Sequence, residues 1–236
     1  NIMKALRTKI GTYAVVLLMS CGFTVPLMAG SSDFAGIYGA LTGSAGGAQV
    51  NGRHVSQDGE ISEGKVGAVF PVAGYEVGFN LPLGDLFFLG AGHSWSKSGN
   101  ASIARGDGDS KGGSPESGGS AGNDSSFHLK AKNLSEVYIM PSISIYDNSA
   151  IYVKIGRTIA DTELTGSATG DPGNLQGDLL GIGTIAMMEN GLFIKTEGSV
   201  TRFDDIEIIG VGGSTDAKVQ GTPDMVMGSI AIGYKF

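Results

Sequence analysis

Cysteine is close to absent: the 236 residues contain one, Cys21. It lies within the first 29 residues, so a chain without that stretch has neither a disulfide framework nor a thiolate metal site. Long apolar runs are missing too. The best of them, Tyr13 to Met19, is too short to read as a transmembrane helix. Beyond Gly30 no long stretch carries the periodicity of an amphipathic helix. Positive charge is also scarce. Without residues 1–29 the chain has 13 basic residues (16 less Lys4, Arg7 and Lys9) against 23 acidic, a net charge of −10. A chain so acidic is not built to neutralise nucleic-acid phosphates.

The opening residues read as an export signal. A basic start is followed by the apolar run and then by Thr24 to Ala29, which leads to a cut after Ala29. Two features complicate this. Leu27 is bulkier than the residue usually found three positions before a cut, and Leu18-Met19-Ser20-Cys21 offers a rival lipoprotein box in which Cys21 is lipidated. The apolar residues that continue through Phe23, Val25, Leu27 and Met28 favour the ordinary signal peptide. Residues 1–29 are therefore expected to be a signal peptide and residues 30–236 a single domain.

What is abundant is glycine, 40 residues with no collagen-like period. A globular core filled this way packs poorly, whereas a narrow barrel uses glycine at inward positions where large side chains collide. The chain also alternates with period two over segments of about ten residues, the pattern of membrane strands. In the last segment Val226, Gly228, Ile230, Ile232, Tyr234 and Phe236 share one face, and Met227, Ser229, Ala231, Gly233 and Lys235 share the other. Phe87 to Trp95 places Phe87, Leu89, Ala91, His93 and Trp95 against Gly90, Gly92 and Ser94. Tyr75, Val77, Phe79 and Leu81 oppose Gly74, Glu76, Gly78 and Asn80, while Val137, Ile139, Ile143 and Ile145 oppose Lys132, Glu136, Ser142 and Ser144. Four less tidy segments cover about 34–45, 150–164, 176–188 and 192–203. Simple alternation puts Arg157 on the lipid face near mid-height, where a charge costs about 2–4 kcal/mol unless a bulge or snorkelling relieves it.

Short and long connections alternate strictly. Leu83-Gly84-Asp85, Asp147-Asn148-Ser149 and Glu189-Asn190-Gly191 are tight turns. Between them lie the polar stretches 46–64, 97–125, 165–175 and 204–223. Three short and four long connections join eight strands. The expected fold is therefore all-β, an eight-stranded antiparallel up-and-down transmembrane barrel, with both termini and the short turns on the periplasmic side.

Three stretches carry a resemblance: Phe34-Ala35-Gly36-Ile37-Tyr38-Gly39-Ala40, the glycine-aromatic hairpin from Gly74 to Trp95, and the ending Ile230-Ala231-Ile232-Gly233-Tyr234-Lys235-Phe236. With them the chain resembles the small outer-membrane barrel superfamily of the OmpA membrane domain, OmpX and the opacity proteins. The resemblance implies residence in the bacterial outer membrane among lipid and lipopolysaccharide. It also implies assembly by the barrel-assembly machinery through the C-terminal strand.

Inward charges of both signs, Glu76, Lys132, Glu136, Lys154, Lys195 and Glu197, must be paired if they are buried. They read first as a salt-bridged filling that fixes register, and second as a narrow polar path or gate. Trp95, Tyr234 and Phe236 read as interfacial aromatics. The low-complexity stretch 97–125 contains Arg105-Gly106-Asp107, an adhesion tripeptide that chance explains in a Gly/Ser-rich loop. An EF-hand there fails, because Lys111 holds a ligand position and Gly118 stands where the bidentate Glu belongs. Weak cation binding by the acidic loops, including Asp204-Asp205, stays open. Of the histidines, His93 has the opposite parity from Ser94 and Ser96, and Ser126 with His128 lacks an orienting acid; His54 completes the set. No catalytic, cofactor or metal site is expected. The expectation is a non-enzymatic surface barrel that serves envelope integrity or binds surface ligands through its loops. The rivals are a small porin-like channel, a lipid-modifying enzyme and a soluble ligand barrel, the last of which calls for an apolar interior.

Overall fold

A computed structural model describes residues 30–55, 61–106, 127–166, 173–209 and 218–236. After a single 3-10 turn at Ser31–Phe34 come β1 Gly36–Val55, β2 Ile61–Pro82, β3 Phe87–Gly106, β4 Phe127–Tyr146 and β5 Ser149–Gly166. β6 Leu175–Met187, β7 Leu192–Phe203, the short β8 Ile206–Ile209 and β9 Lys218–Lys235 follow. Each long strand pairs antiparallel with its neighbours, and β1 pairs with β9, which closes an eight-stranded barrel with β8 as an appendage on β9.

Register fixes the dimensions. A row of direct partners leaves β1 at Gly39, passes Val77, His93, Val137, Arg157, Asp178, Arg202 and Asp224, and returns to β1 at Gln49. The return point is ten residues along the strand (49 less 39), a shear of ten. With a rise of about 3.3 Å and a strand spacing of about 4.8 Å, eight strands at that shear tilt by about 41° around a backbone radius of about 8 Å. Such a cylinder has room for side chains and little else.

The wall separates the two faces along every strand. Ile37, Leu41, Val77, Phe79, Val137, Ile139, Ile182, Val226, Ile230 and Ile232 face outward and are exposed. At that tilt the ten-residue rise from Phe236 to Val226 spans about 25 Å, the height of a membrane barrel's apolar band. This apolar exterior around an interior that carries buried charges defines a transmembrane β-barrel, and no helix among the described residues is long and apolar enough to cross a membrane. Pro141 faces outward in β4, and the direct pairing of β4 with β5 skips residues 140–141, where the missing N–H leaves the ladder short of a donor.

The glycines have a steric reason. Tyr38 lies opposite Gly78, Tyr138 opposite Gly92 and Tyr152 opposite Gly183. Each ring lies over the glycine across from it. A Cβ on Gly78 would sit 2.5 Å from the Tyr38 ring, and one on Gly92 would sit 2.6 Å from the Tyr138 hydroxyl. Small residues on one strand thus house the rings of the next.

Two expectations need correction. Strands run well past the limits set by alternation: 46–55, 61–64, 97–106 and 218–223 are strand rather than loop. Their polar and glycine residues on both faces erase the periodic signal while the backbone ladder continues. Phe34 does not open β1; it belongs to the 3-10 turn and points into the barrel, fully buried. The signal-peptide stretch, Cys21 and the Asp107 to Gly118 calcium-loop candidate lie outside the described residues, as does Asp107 of the adhesion tripeptide.

Gly92→Ala is expected to lower stability by about 1–3 kcal/mol through overpacking against Tyr138. The measurement is the urea midpoint for loss of fast unheated gel mobility. Ala at the outward Gly228, which has open space around it, should leave the midpoint unchanged.

Candidate functional site

The interior is layered. At the turn end Phe34, Tyr38, Phe88, Met140, Tyr152, Ile185 and Phe193 form an apolar cluster. Above it sits a charged layer. Glu76 comes from β2, Glu136 from β4, Lys154 from β5, and Lys195 and Glu197 from β7, each placed inward by strand parity. Higher still, two to six residues further along the same strands, Val72, Leu134, Thr158, Ala160, Thr201 and Phe203 are buried. The charges are therefore shut between two largely apolar layers.

Within the layer Lys154 Nζ lies 2.7 Å from Glu136 Oε2 and 3.0 Å from Glu197 Oε1. Lys195 Nζ sits between the two oxygens of Glu76, at 2.6 Å from Oε1 and 2.7 Å from Oε2. Three carboxylates thus face two ammonium groups, and hydroxyls supply the remaining donors. Ser94 donates to Glu136 (2.9 Å), Tyr152 to Glu197 (3.0 Å) and Tyr138 to Glu76 (3.3 Å). The hydroxyls of Tyr38 and Tyr138 meet at 3.1 Å, and Lys154 Nζ lies 4.4 Å from the Tyr138 ring centroid. Glu76 and Lys154 are each 3% exposed. In so little water each charge is held by its partners alone.

Five of the six charges read as inward from the sequence meet here. Lys132 does not. Its side chain is 45% exposed and pairs with Glu163 at 3.0 Å. The direct pairing of β4 with β5 shifts between Ala131 and Asn133, so Lys132 occupies a bulge near the loop end instead of the lumen. The sequence reading also missed Tyr38, Tyr138, Tyr152 and Ser94, whose signal is their inward parity opposite glycine or glutamate.

Arg157 faces outward, as alternation requires, but neither a bulge nor snorkelling accommodates it. Asp178, its direct partner on β6, accepts at 2.9 Å and Asp204 at 3.4 Å. Arg157, Asp178, Arg202 and Asp224 are successive partners of alternating sign, and Arg202 meets Asp224 at 3.1 Å. This row climbs about 3 Å per strand toward the loop end, so the ladder borders the apolar band instead of interrupting its middle. Tyr75 and Trp95, rings 5.7 Å apart, lie outward toward the loop end, and Tyr234 and Phe236, 5.2 Å apart, lie outward at the turn end.

His93 has a partner that no sequence spacing suggested. Its Nε2 lies 2.8 Å from Ser135 Oγ, since Ser135 faces Trp95 across the β3–β4 pairing. Among the described residues no carboxylate is hydrogen-bonded to this histidine, so the pair lacks the orienting acid of a hydrolase. An imidazole and a hydroxyl on a lipid-facing wall satisfy one another. Ser94 and Ser96 point inward, away from it. The side chains of His54 and His128 and all of Ser126 lie outside the described residues. Among the described residues no group of three His, Cys, Asp or Glu is placed to hold a metal.

Solved structures to which this chain is similar include outer-membrane proteins. OprG of Pseudomonas aeruginosa is 12% identical, with 86% of this chain and 96% of that one covered at a TM-score of 0.45. The attachment invasion locus protein Ail of Yersinia pestis is 11% identical, with 85% and 99% covered at 0.40. The outer membrane protease OmpT of Escherichia coli is 11% identical, with 85% and 97% covered at 0.41. No protein-family profile and no curated protein matches the chain. The functional reading therefore rests on the chain's own geometry.

Lys154→Met leaves Glu136 and Glu197 buried without their shared ammonium. It is expected to cost about 3–5 kcal/mol, read as a lower urea midpoint in lipid vesicles. Lys132→Met, outside the layer, should move the midpoint by less than about 0.5 kcal/mol.

Proposed function

We propose that this chain is a sealed, non-enzymatic surface barrel of the bacterial outer membrane that acts through its loop end in recognition or envelope integrity. The observation that carries this reading is the lumen. A paired charge layer lies between two largely apolar layers, and the cavity bordered by Phe34, Asn80 and Lys195 has a volume of about 10 Å³, room for a single water. Such a filling stabilises a wall. Among the described residues it leaves no open path along the lumen.

The short turns are assigned to the periplasm and the long connections to the cell surface, with lipid and lipopolysaccharide around the belt. The outward Tyr234 and Phe236 at the end of β9 suit recognition by the barrel-assembly machinery. At the loop end the wall extends as two ribbons, β8–β9–β1–β2 and β3–β4–β5. Among the described residues no direct partners join β2 before Ala73 to β3 beyond Lys97. Open strand edges of this kind pair with extended polypeptide.

The four stretches 46–64, 97–125, 165–175 and 204–223 carry five basic and twelve acidic residues, a net charge of −7. A surface so acidic favours cationic partners over sulfated or phosphorylated ones, and salt weakens the attraction.

Planar-bilayer recording of the refolded chain should give no steady current; a reproducible conductance defeats this reading in favour of a channel. Lipid A from cells overexpressing the chain should keep its mass, whereas a changed mass makes it an enzyme. Cells displaying the chain should bind immobilised polylysine better at low salt than at high. A variant with 107–126 replaced by a short Gly-Ser linker should bind less while keeping its unheated gel mobility.

A further inference from the structure

We propose that Ser31–Phe34 is a removable stopper in the turn-end mouth of the barrel, and that its withdrawal opens the lumen from that side as far as the Glu76–Lys195 pair. The inference rests on the sealed-lumen reading above and adds the element that seals one end. Other inward side chains of the lower cluster stand on strands held by ladder bonds on both sides. Phe34 does not. It reaches the lumen from below, on one 3-10 turn outside the sheet, and its ring stacks on Phe88 with centroids 4.9 Å apart and planes 7° apart.

The turn is fastened by few contacts. Ser31 N donates to Asp85 O (2.8 Å), the Ser31 hydroxyl to Gly84 O, Asn80 Nδ2 to Phe34 O (3.0 Å) and Lys235 Nζ to Asp33 O (2.6 Å). Releasing it breaks no strand-to-strand pairing, so the turn can open without unzipping the wall, at the expense of these bonds and of the burial of Phe34 and Ser31. The chain enters the mouth through Gly36, whose φ of +118° turns it from the wall beneath the barrel. A Cβ there would be strained in that conformation and would meet Phe236 O at 3.1 Å. Gly36 is thus the hinge.

The space behind Phe34 is ready for water. The cavity of about 10 Å³ is bordered by Phe34, Tyr38, Asn80 and Lys195, among others. Asn80 Oδ1 is buried on its edge with no hydrogen-bond donor. With Phe34 withdrawn, water reaches Asn80 and Lys195. Further passage is blocked by the charged layer and the apolar residues beyond it, so the opening is one-sided: access without conduction.

Two thiol reporters test this in the full chain, refolded in lipid vesicles, with Cys21→Ser removing the native thiol. Ser142→Cys lies on the turn side, opposite Phe88 and buried; Thr201→Cys is buried beyond the charged layer. Phe34→Ala should raise the labelling rate of Ser142→Cys by a water-soluble methanethiosulfonate about tenfold or more, as expected when an opening equilibrium shifts. The rate at Thr201→Cys and the unheated gel mobility should not change. If Phe34→Ala does not fold, the Ser31→Ala, Lys235→Gln pair loosens two fastenings and should give the same one-sided increase. No rise at Ser142→Cys, or an equal rise at both reporters, overturns the stopper. Current through the unmodified chain would instead overturn the sealed barrel itself.

Discussion

Closure of eight strands with a shear of ten constrains everything else in this molecule. It sets a backbone radius of about 8 Å and a tilt of about 41°. Every second residue then points into a space that cannot take eight large side chains at one level. The outcome is an uneven filling: tyrosines from β1, β4 and β5 lie over glycines of the adjacent strands, and a methyl group at Gly78 or Gly92 would overlap the rings. Glycine, which weakens most sheets, is here the condition for packing the interior.

The same narrowness explains how charge survives at the centre. Lys154 reaches Glu136 on the adjacent β4 and Glu197 on β7, and Lys195 reaches Glu76 on β2, because no point of the lumen is far from any other. Buried ion pairs contribute little to stability as such, and a well-packed apolar filling does as well or better. What they add is direction. A glutamate on β2 and a lysine on β7 meet only when the intervening strands are in register, and a one-residue slip would turn either charge into lipid.

The outer wall solves a different problem. Its apolar side chains meet hydrocarbon, and its charges gather where the band ends. Arg157, Asp178, Arg202 and Asp224 follow one row of partners, so an arginine that looks misplaced in sequence is flanked by carboxylates in space. The strands then continue past this border as two ribbons, beyond the apolar band.

Strand number, the inward or outward side of the residues in the clearly alternating segments and the three tight turns were legible in the sequence, because parity and turn chemistry are local. Val226 to Phe236 state them openly, and so do Glu76, Glu136, Lys154 and Lys195. Strand ends were not legible: beyond the bilayer both faces meet water, and 46–55 or 97–106 have no reason to alternate. Lys132 was misplaced because a bulge is a property of two strands together. The pairing of Lys154 with Glu136 and Glu197, of His93 with Ser135 and of Arg157 with Asp178, and the insertion of Phe34 from below, depend on register between strands and on the path of the chain across the mouth. Parity is carried by each strand alone. Register, and with it every contact in the lumen, exists only once the cylinder has closed.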